Sequence, residues 1–164
     1  PQHLAKIVTY VKGASDNGAD VAIGGSAADL GIGQFMEPTI LSSVAPDMAV
    51  AKEEVFGPVL SVLAFETTDE AIRIANSIDY GLSAGVWSRD FDTCLSVGRR
   101  VRAGTIWMNT FMDGASELPF GGYRQSGIGR ELGRHAVEDY TETKTLNMHI
   151  GARTGHWMPK EARA

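Results

Sequence analysis

A short bend, Glu53 to Pro58 (E-E-V-F-G-P), combines carboxylates, an aromatic ring and two turn-forming residues. Pro58 fixes its own φ and Gly57 permits a sharp turn, so Glu54 and Phe56 are expected on a rigid bend. A carboxylate held in this way can accept two hydrogen bonds from a ribose diol, and an aromatic ring can pack against a flat ligand. The alternative is a solvated glutamate beside a core phenylalanine, and the spacing alone favours that alternative.

A second segment, Pro119 to Glu131 (P-F-G-G-Y-R-Q-S-G-I-G-R-E), is unusually rich in glycine, with four glycines among nine residues. Glycine adopts positive φ without steric cost, so the segment is expected to bend repeatedly beside another group. The bare pattern leaves two interpretations equally open, a structural loop and a ligand-binding loop.

Asn109 ends a predicted strand and opens a long loop that carries Phe111, Leu118 and Phe120. Loops that follow the carboxyl ends of strands in α/β sheets often hold ligands. Apolar residues in such a loop usually pack onto the body of the fold. The competing interpretation is the wall of a substrate channel, because ligand pockets are mostly apolar.

Cys94 is the one cysteine of the chain, so it cannot form an internal disulfide. It falls on the inner side of a predicted helix, whereas a reactive thiol needs a basic, partly exposed environment, and core packing is therefore favoured. A lone cysteine fits a reducing compartment, which predicts a cytoplasmic protein. The four histidines show no metal-ligand spacing, and no metal is expected.

Alternating helices and strands must position these residues. Apolar spacing and capping signals predict helices over 2–17, from Thr67 to about Ile78, from Asp90 to about Val101, and over Arg130 to Asp139. Strands are predicted at 21–23, Gln34 to Met36, Thr39 to Leu41, Val59 to Phe65, Gly81 to Trp87, Thr105 to Met108 and Thr143 to Ile150. The second and third strands either pair or continue one another around Pro38, which argues for an edge or a bulge. The run at 59–65 reads as a buried strand.

This order predicts an α/β fold with a three-layer, open and mostly parallel sheet, built from β-α-β units over 59–87 and 83–108. The length of 164 residues suits one domain, and the net charge of −5 argues against a nucleic-acid surface. No apolar run approaches the roughly 20 residues that a membrane span needs. No period is seen from Gly151 to Ala164. The chain begins with Pro1 rather than Met, and we expect it to be cut from a longer one.

The two motifs, with AKEEVFGPVL, DYGLSAGVWSRD, RAGTIWMNT and DYTETKTL in the same order, resemble the C-terminal part of the aldehyde dehydrogenase superfamily from about Lys6 to His149. The resemblance implies oxidation of an aldehyde to a carboxylic acid with NAD or NADP. In that family a cysteine thiolate attacks the carbonyl and a glutamate activates water. Those groups lie upstream of the matched region, and Cys94 does not match the nucleophile. The resemblance assigns 1–128 to the catalytic domain and 129–164 to a C-terminal helix, oligomerisation strand and tail.

The resemblance also implies residue roles. Glu54 matches a clamp on the nicotinamide-ribose hydroxyls, and Phe56 matches the aromatic beside the nicotinamide. Asn109 opens the loop over the substrate channel. The channel-wall positions are Phe111, Leu118 and Phe120. Glu131 matches a buried glutamate near the proton route behind the general base.

The strand at Thr143 to Ile150 matches one that joins a partner subunit in a homodimer or homotetramer, with Arg130 and Glu142 near that contact. Phe111 with Glu117 nearby is compatible with a cationic aldehyde such as betaine aldehyde or an aminoaldehyde, although plain aldehydes fit as well. Two hypotheses follow. The chain is either an enzyme segment that is inactive alone or a non-catalytic oligomerisation module.

Overall fold

The computed structural model describes residues 1–151, and the tail predicted beyond Gly151 lies outside that range. The helices are α1 (Gln2–Asp16), α2 (Ala49–Lys52), α3 (Thr68–Ala75), α4 (Phe91–Arg100) and α5 (Gly133–Asp139). The strands are β1 (Asp20–Ile23), β2 (Ala27–Ala28), β3 (Phe35–Met36), β4 (Thr39–Ser42), β5 (Val59–Ser61), β6 (Tyr80–Gly81), β7 (Ser83–Val86), β8 (Thr105–Met108) and β9 (Tyr123–Arg124). The architecture is α/β, as the alternation of elements predicts. The prediction of one mostly parallel sheet is wrong for the described residues, whose strands form separate sheets: β4–β5 and β7–β8 pair in parallel, whereas β1–β4, β2–β3 and β6–β9 pair antiparallel.

The main core lies between α1 and a three-stranded sheet in the order β1-β4-β5. Strand β4 pairs antiparallel with β1 and parallel with β5, with Thr39 opposite Val59. Helix α1 buries Ile7, Val11 and Ala14 against this sheet. Burial of such side chains at about 25 cal/mol per Å² of apolar surface is what fastens α1 to the sheet.

A second unit consists of β7 and β8, which pair in parallel in register from Ser83 opposite Thr105 to Val86 opposite Met108. Helix α4 connects the two strands and packs on both of them, so the predicted β-α-β unit over 83–108 is confirmed. The pairing expected within 59–87 is wrong, because β5 belongs to the first sheet whereas β7 pairs with β8. A strand-helix-strand pattern gives the order of elements along the chain and does not establish which strands become neighbours.

Both capping signals are confirmed. The Thr67 hydroxyl accepts a hydrogen bond from the Glu70 amide at 3.2 Å, and the Glu70 carboxylate accepts one from the Glu66 amide at 2.8 Å. Asp90 accepts a hydrogen bond from the Thr93 amide at 3.0 Å. These side chains satisfy amides at the helix N-termini that have no partner within the helix.

The predicted burial of the strand over 59–65 is wrong. The ladder ends at Ser61, and Leu60, Val62 and Phe65 keep 59%, 45% and 59% of their surface exposed. Val59, Ser61 and Leu63 are the half-buried positions, so one face alone is covered within the described residues. Apolar residues on both faces of the strand predicted that each face would be covered by another layer of the fold. Within the described residues only one face is covered.

Other boundaries also differ from the sequence predictions. Strand β3 pairs with β2 rather than with β4, and β4 begins after Pro38 as the central strand, not an edge. Helix α5 begins at Gly133 instead of Arg130, because Leu132 adopts a positive φ of 64° that a helix cannot continue through. Residues 143–150 form neither helix nor strand, since a strand requires a hydrogen-bonded neighbour and none of the described strands pairs with them.

Candidate functional site

The carboxylate-aromatic bend connects α2 to β5. Glu54 is exposed, and Phe56 exposes 76% of its surface although it lies three residues before β5 begins at Val59. Phe56 has a φ of 55°, in the left-handed region that non-glycine residues rarely adopt. The alternative that placed Phe56 in the core is therefore wrong, because its ring is exposed to solvent.

Helix α1 holds this bend from behind. The His3 Nε2 donates a hydrogen bond to the Phe56 carbonyl oxygen at 2.7 Å. The Tyr10 hydroxyl donates to Glu53 Oε2 at 2.5 Å, and this hydrogen bond, with burial and the Glu53 charge, raises the pKa of Tyr10. Gly57 lies so close to Ile7 that a Cβ on it would come within 2.6 Å of the Ile7 methyl carbon. These contacts were not predicted, because nothing in the helical spacing of α1 points to a residue some 50 positions away.

The glycine-rich loop is closed at its neck and fastened at its tip. At the neck, Phe120 and Glu131 exchange two backbone hydrogen bonds of 2.7 Å. At the tip, β9 pairs with β6, and the Ser126 hydroxyl accepts a hydrogen bond from the Gly81 amide at 3.0 Å. The Arg124 guanidinium donates to the carbonyl oxygens that follow α3. Glycine-rich sequence gave no indication of β9, whose two residues pair only because β6 lies alongside.

Arg130 organises the inside of this loop. Its Nη1 donates to the carbonyl oxygens of Gly122 and Gly129 at 2.9 and 2.6 Å, and its guanidinium lies 5.4 Å from the centre of the Tyr123 ring. The side chain expected near a subunit contact thus engages its own loop. Gly104 permits the loop to dock, because a Cβ there would overlap the Gly121 carbonyl oxygen.

The bend and the loop border a common cleft. A cavity of about 610 Å³ has Glu54 on one wall and Gln125 and Ser126 of the loop on another. A second cavity of about 510 Å³ is lined by Phe120 and Glu131. The two cavities share Leu82 and Ser126 as walls. Two motifs separated by more than 60 residues therefore face adjoining spaces, as a joint role in binding requires.

The predicted channel residues are only partly brought together. The Asn109 side chain accepts a hydrogen bond from the Ser88 amide and donates one to the Ser88 carbonyl oxygen, both at 2.9 Å, which ties the end of β7 to the end of β8. The Phe111 ring lies edge-on to Trp107 at 5.1 Å. Phe111 and Leu118 each expose 59% of their surface, so within residues 1–151 they form no closed channel wall.

Cys94 is confirmed as a core residue. It exposes 1% of its surface, and its thiol lies 3.8 Å from the Ser88 carbonyl oxygen. A buried thiol cannot reach a carbonyl substrate. Among the described residues no group of three or more metal-ligating side chains is gathered in one place. None of the described helices combines the length and the hydropathy needed to cross a bilayer.

Comparison with known proteins identifies the family. The model for the aldehyde dehydrogenase family matches residues 1–146. The chain is 44% identical over 146 residues to an aldehyde dehydrogenase of Davidiella tassiana, covering 89% of the chain and 29% of that protein. It is 42% identical over 159 residues to the betaine aldehyde dehydrogenase of Bacillus subtilis, covering 95% and 32%.

A solved structure, the NAD-dependent aldehyde dehydrogenase from Sinorhizobium meliloti, superimposes with a TM-score of 0.89 at 43% identity, covering 96% of the chain and 31% of that structure. The chain therefore spans about a third of the length of these three relatives. The resemblance carried by the two motifs is confirmed, and the chain belongs to the aldehyde dehydrogenase family.

Proposed function

We infer that this chain supplies the C-terminal part of the catalytic domain of an enzyme that oxidises an aldehyde to a carboxylic acid with NAD⁺ or NADP⁺. The observation that carries the proposal is the common cleft between Glu54 and the tip of the glycine-rich loop. Relatives are described as NAD-dependent or as NAD⁺ complexes, which supports the cofactor class. The proposed domain division is catalytic over 1–128 and C-terminal helix, oligomerisation strand and tail over 129–164.

The residues of the bend fit a nicotinamide nucleotide. Glu54 is exposed and forms none of the ion pairs found within residues 1–151, so its oxygens are available to a ribose diol. The Phe56 ring lines neither cavity and is 76% exposed, so its flat apolar face is open to a ligand. The bound cofactor would supply a hydride acceptor, and Glu54 and Phe56 would orient it. Orientation matters because a misplacement of about 1 Å can cost about a hundredfold in rate.

The glycine-rich loop serves the substrate side of this proposal. Phe120 and Glu131 both line the second cavity. Glu131 is exposed within the described residues, in contrast to the buried glutamate of the proton route that it matches. Asn109 fixes the start of the channel loop through its two hydrogen bonds to Ser88. We assign Phe111 and Leu118 to the channel wall, where Phe111 near Glu117 would suit a cationic aldehyde. The Bacillus subtilis relative named for betaine aldehyde supports that substrate class.

Replacing Glu54 by glutamine tests the cofactor role in the full-length enzyme. Loss of one charged hydrogen bond to the ribose is expected to slow hydride transfer by about ten- to a hundredfold. Stopped-flow absorbance of the reduced cofactor measures this rate, and Glu66→Gln is the matched control on an exposed glutamate outside the cleft. Unchanged hydride transfer and unchanged cofactor affinity would falsify the assignment of Glu54.

The 164-residue chain alone is expected to show no turnover, because Cys94 is buried.

A second role, subunit association, is favoured by one observation. Leu146, Met148 and Ile150 alternate along residues 143–150 and expose 88%, 83% and 87% of their surfaces. Alternating apolar residues suit one face of a strand that pairs with a partner. We propose that this segment joins subunits of a homodimer or homotetramer.

A cytoplasmic location is proposed from the lone cysteine and from a relative described as cytosolic.

A further inference from the structure

Phe56 has an unfavourable backbone conformation at the site where its ring is needed. Its φ of 55° places a bulky side chain in the left-handed region. Non-glycine residues persist in that region only when the surrounding structure holds them there, and such residues are concentrated at functional sites. The ring is 76% exposed, so its own packing does not hold it. The restraint must therefore act through the backbone.

His3 provides that restraint from α1. Its Nε2 donates to the Phe56 carbonyl oxygen at 2.7 Å, across 53 positions of sequence. Because a carbonyl oxygen only accepts hydrogen bonds, Nε2 must carry the proton. The His3 ring also meets the Phe56 ring edge-on, with centroids 6.2 Å apart and planes at 68°. One side chain therefore fixes both the peptide after Phe56 and one edge of its ring.

The position of His3 is in turn fixed by the rest of α1. Ile7 and Val11 expose 4% and 3% of their surfaces in the main core. On the same helix, the Tyr10 hydroxyl donates a hydrogen bond to the Glu53 carboxylate at 2.5 Å. Gly57, the residue after Phe56, lies directly against Ile7. The helix thus contacts the bend before, at and after the strained residue, and a rotation of the Phe56 peptide would break its hydrogen bond to His3.

We propose that His3 is a positioning residue, which holds Phe56 in its strained conformation so that the ring faces the nicotinamide. This proposal rests on the proposed function, since it concerns the same cofactor site. His3 acts through Phe56 and makes no contact of its own with the cofactor or the substrate. Without its hydrogen bond, the Phe56 peptide relaxes toward the common negative φ and the ring leaves the cofactor face.

The test compares His3→Leu with His3→Gln in the full-length enzyme. Glutamine keeps an N–H donor and leucine does not. Two ligands separate the two halves of the cofactor site: NAD⁺, and ADP-ribose, which lacks the nicotinamide. His3→Leu is expected to slow single-turnover hydride transfer by about tenfold, the factor that corresponds to one lost hydrogen bond. It should leave the ADP-ribose dissociation constant within about twofold, and His3→Gln should restore most of the rate. His135→Leu, an exposed histidine on α5, is the matched control.

A second readout avoids the reaction altogether. In the 164-residue chain, amide hydrogen exchange at Val59, whose N–H donates to the Gly57 carbonyl oxygen at 2.7 Å, should accelerate in His3→Leu and stay near wild type in His3→Gln. The proposal is overturned if hydride transfer and exchange are the same in His3→Leu and wild type. It is also overturned if both ligands weaken equally, which would indicate a general loss of folding. A wild-type enzyme that oxidises no aldehyde would refute the proposed function instead, and the exchange experiment would still decide the role of His3.

Discussion

At the scale of single residues, backbone strain marks the candidate site. Phe56, Asn109, Met112 and Arg124 have positive φ and lie on the bend, the channel loop or the glycine-rich loop, and Leu132 directly follows that loop. Ser43 also has a positive φ and lies outside all three segments. The sequence predicted that glycines would supply this conformation. It could not predict that other residues would share it, because strain of this kind is stabilised by distant partners such as His3 and Ser88.

Asp90 gives a pH-dependent prediction at the same scale. Hydrogen bonds from the Thr93 side chain and amide lower the pKa of Asp90 below its ordinary value of 3.8. A lowered folded-state pKa means that its stabilisation is present above about pH 3.8 and is lost as the pH falls through the lowered value.

The measurement is the free energy of unfolding in urea between about pH 6 and pH 2. Asp90→Asn keeps a good N-cap acceptor without a titratable proton, so it should lose less stability over the acid range than wild type. Identical acid dependence in the two proteins would show that Asp90 does not contribute through its charge.

At the scale of elements, local signals were sufficient where the partners are close in sequence. The capping residues Thr67 and Asp90 correctly started α3 and α4, and the bounds of β8 were predicted without error. Local sequence signals failed to predict an element that forms only by pairing with a segment distant along the chain. Strand β9 and the late start of α5 both follow from pairing within and beside the glycine-rich loop.

The close approach of the glycine-rich loop to Gly104 predicts that a methyl group added at Gly104 will lower the stability of the fold. Gly104→Ala places a Cβ against the Gly121 carbonyl oxygen, a backbone atom that cannot move without displacing the loop. Destabilisation by about 1–3 kcal/mol is expected, the usual cost of overpacking.

Gly13→Ala is the matched control for this prediction. Gly13 lies inside α1 with no atom near its missing Cβ, so alanine should stabilise the chain by about 0.5–1 kcal/mol. Urea unfolding of both variants measures the two effects. A neutral or stabilising Gly104→Ala would show that the loop is not docked as described.

At the scale of the whole molecule, the chain has a main core on α1 and a second layer on α4, and apolar strand surfaces that lack a cover within residues 1–151. Leu60 of β5 exposes 59% of its surface. Phe65 and Trp87, which follow β5 and β7 and line one cavity, expose 59% and 62%. Exposed apolar area on this scale indicates contact with further protein.

The association role predicts a concentration-dependent mass for the 164-residue chain. Light scattering at several concentrations should show oligomers, and Met148→Lys should shift them toward monomer because it places a charge among the alternating apolar residues. Thr145→Lys, on the alternate positions, serves as the control and should have little effect. A strict monomer at all concentrations would remove the support for a subunit contact at 143–150.

The sequence by itself determined the family, the starts of α3 and α4 and the two motifs, because each rests on residues close together along the chain. It also correctly placed Cys94 in the core. The tertiary structure alone decided that Glu54 and Ser126 share a cleft and that His3 reaches Phe56. It also separated β5 from β7, which the strand-helix-strand pattern had joined. The reason is physical: local patterns specify conformation, whereas neighbours across a fold are set by how complete faces pack together.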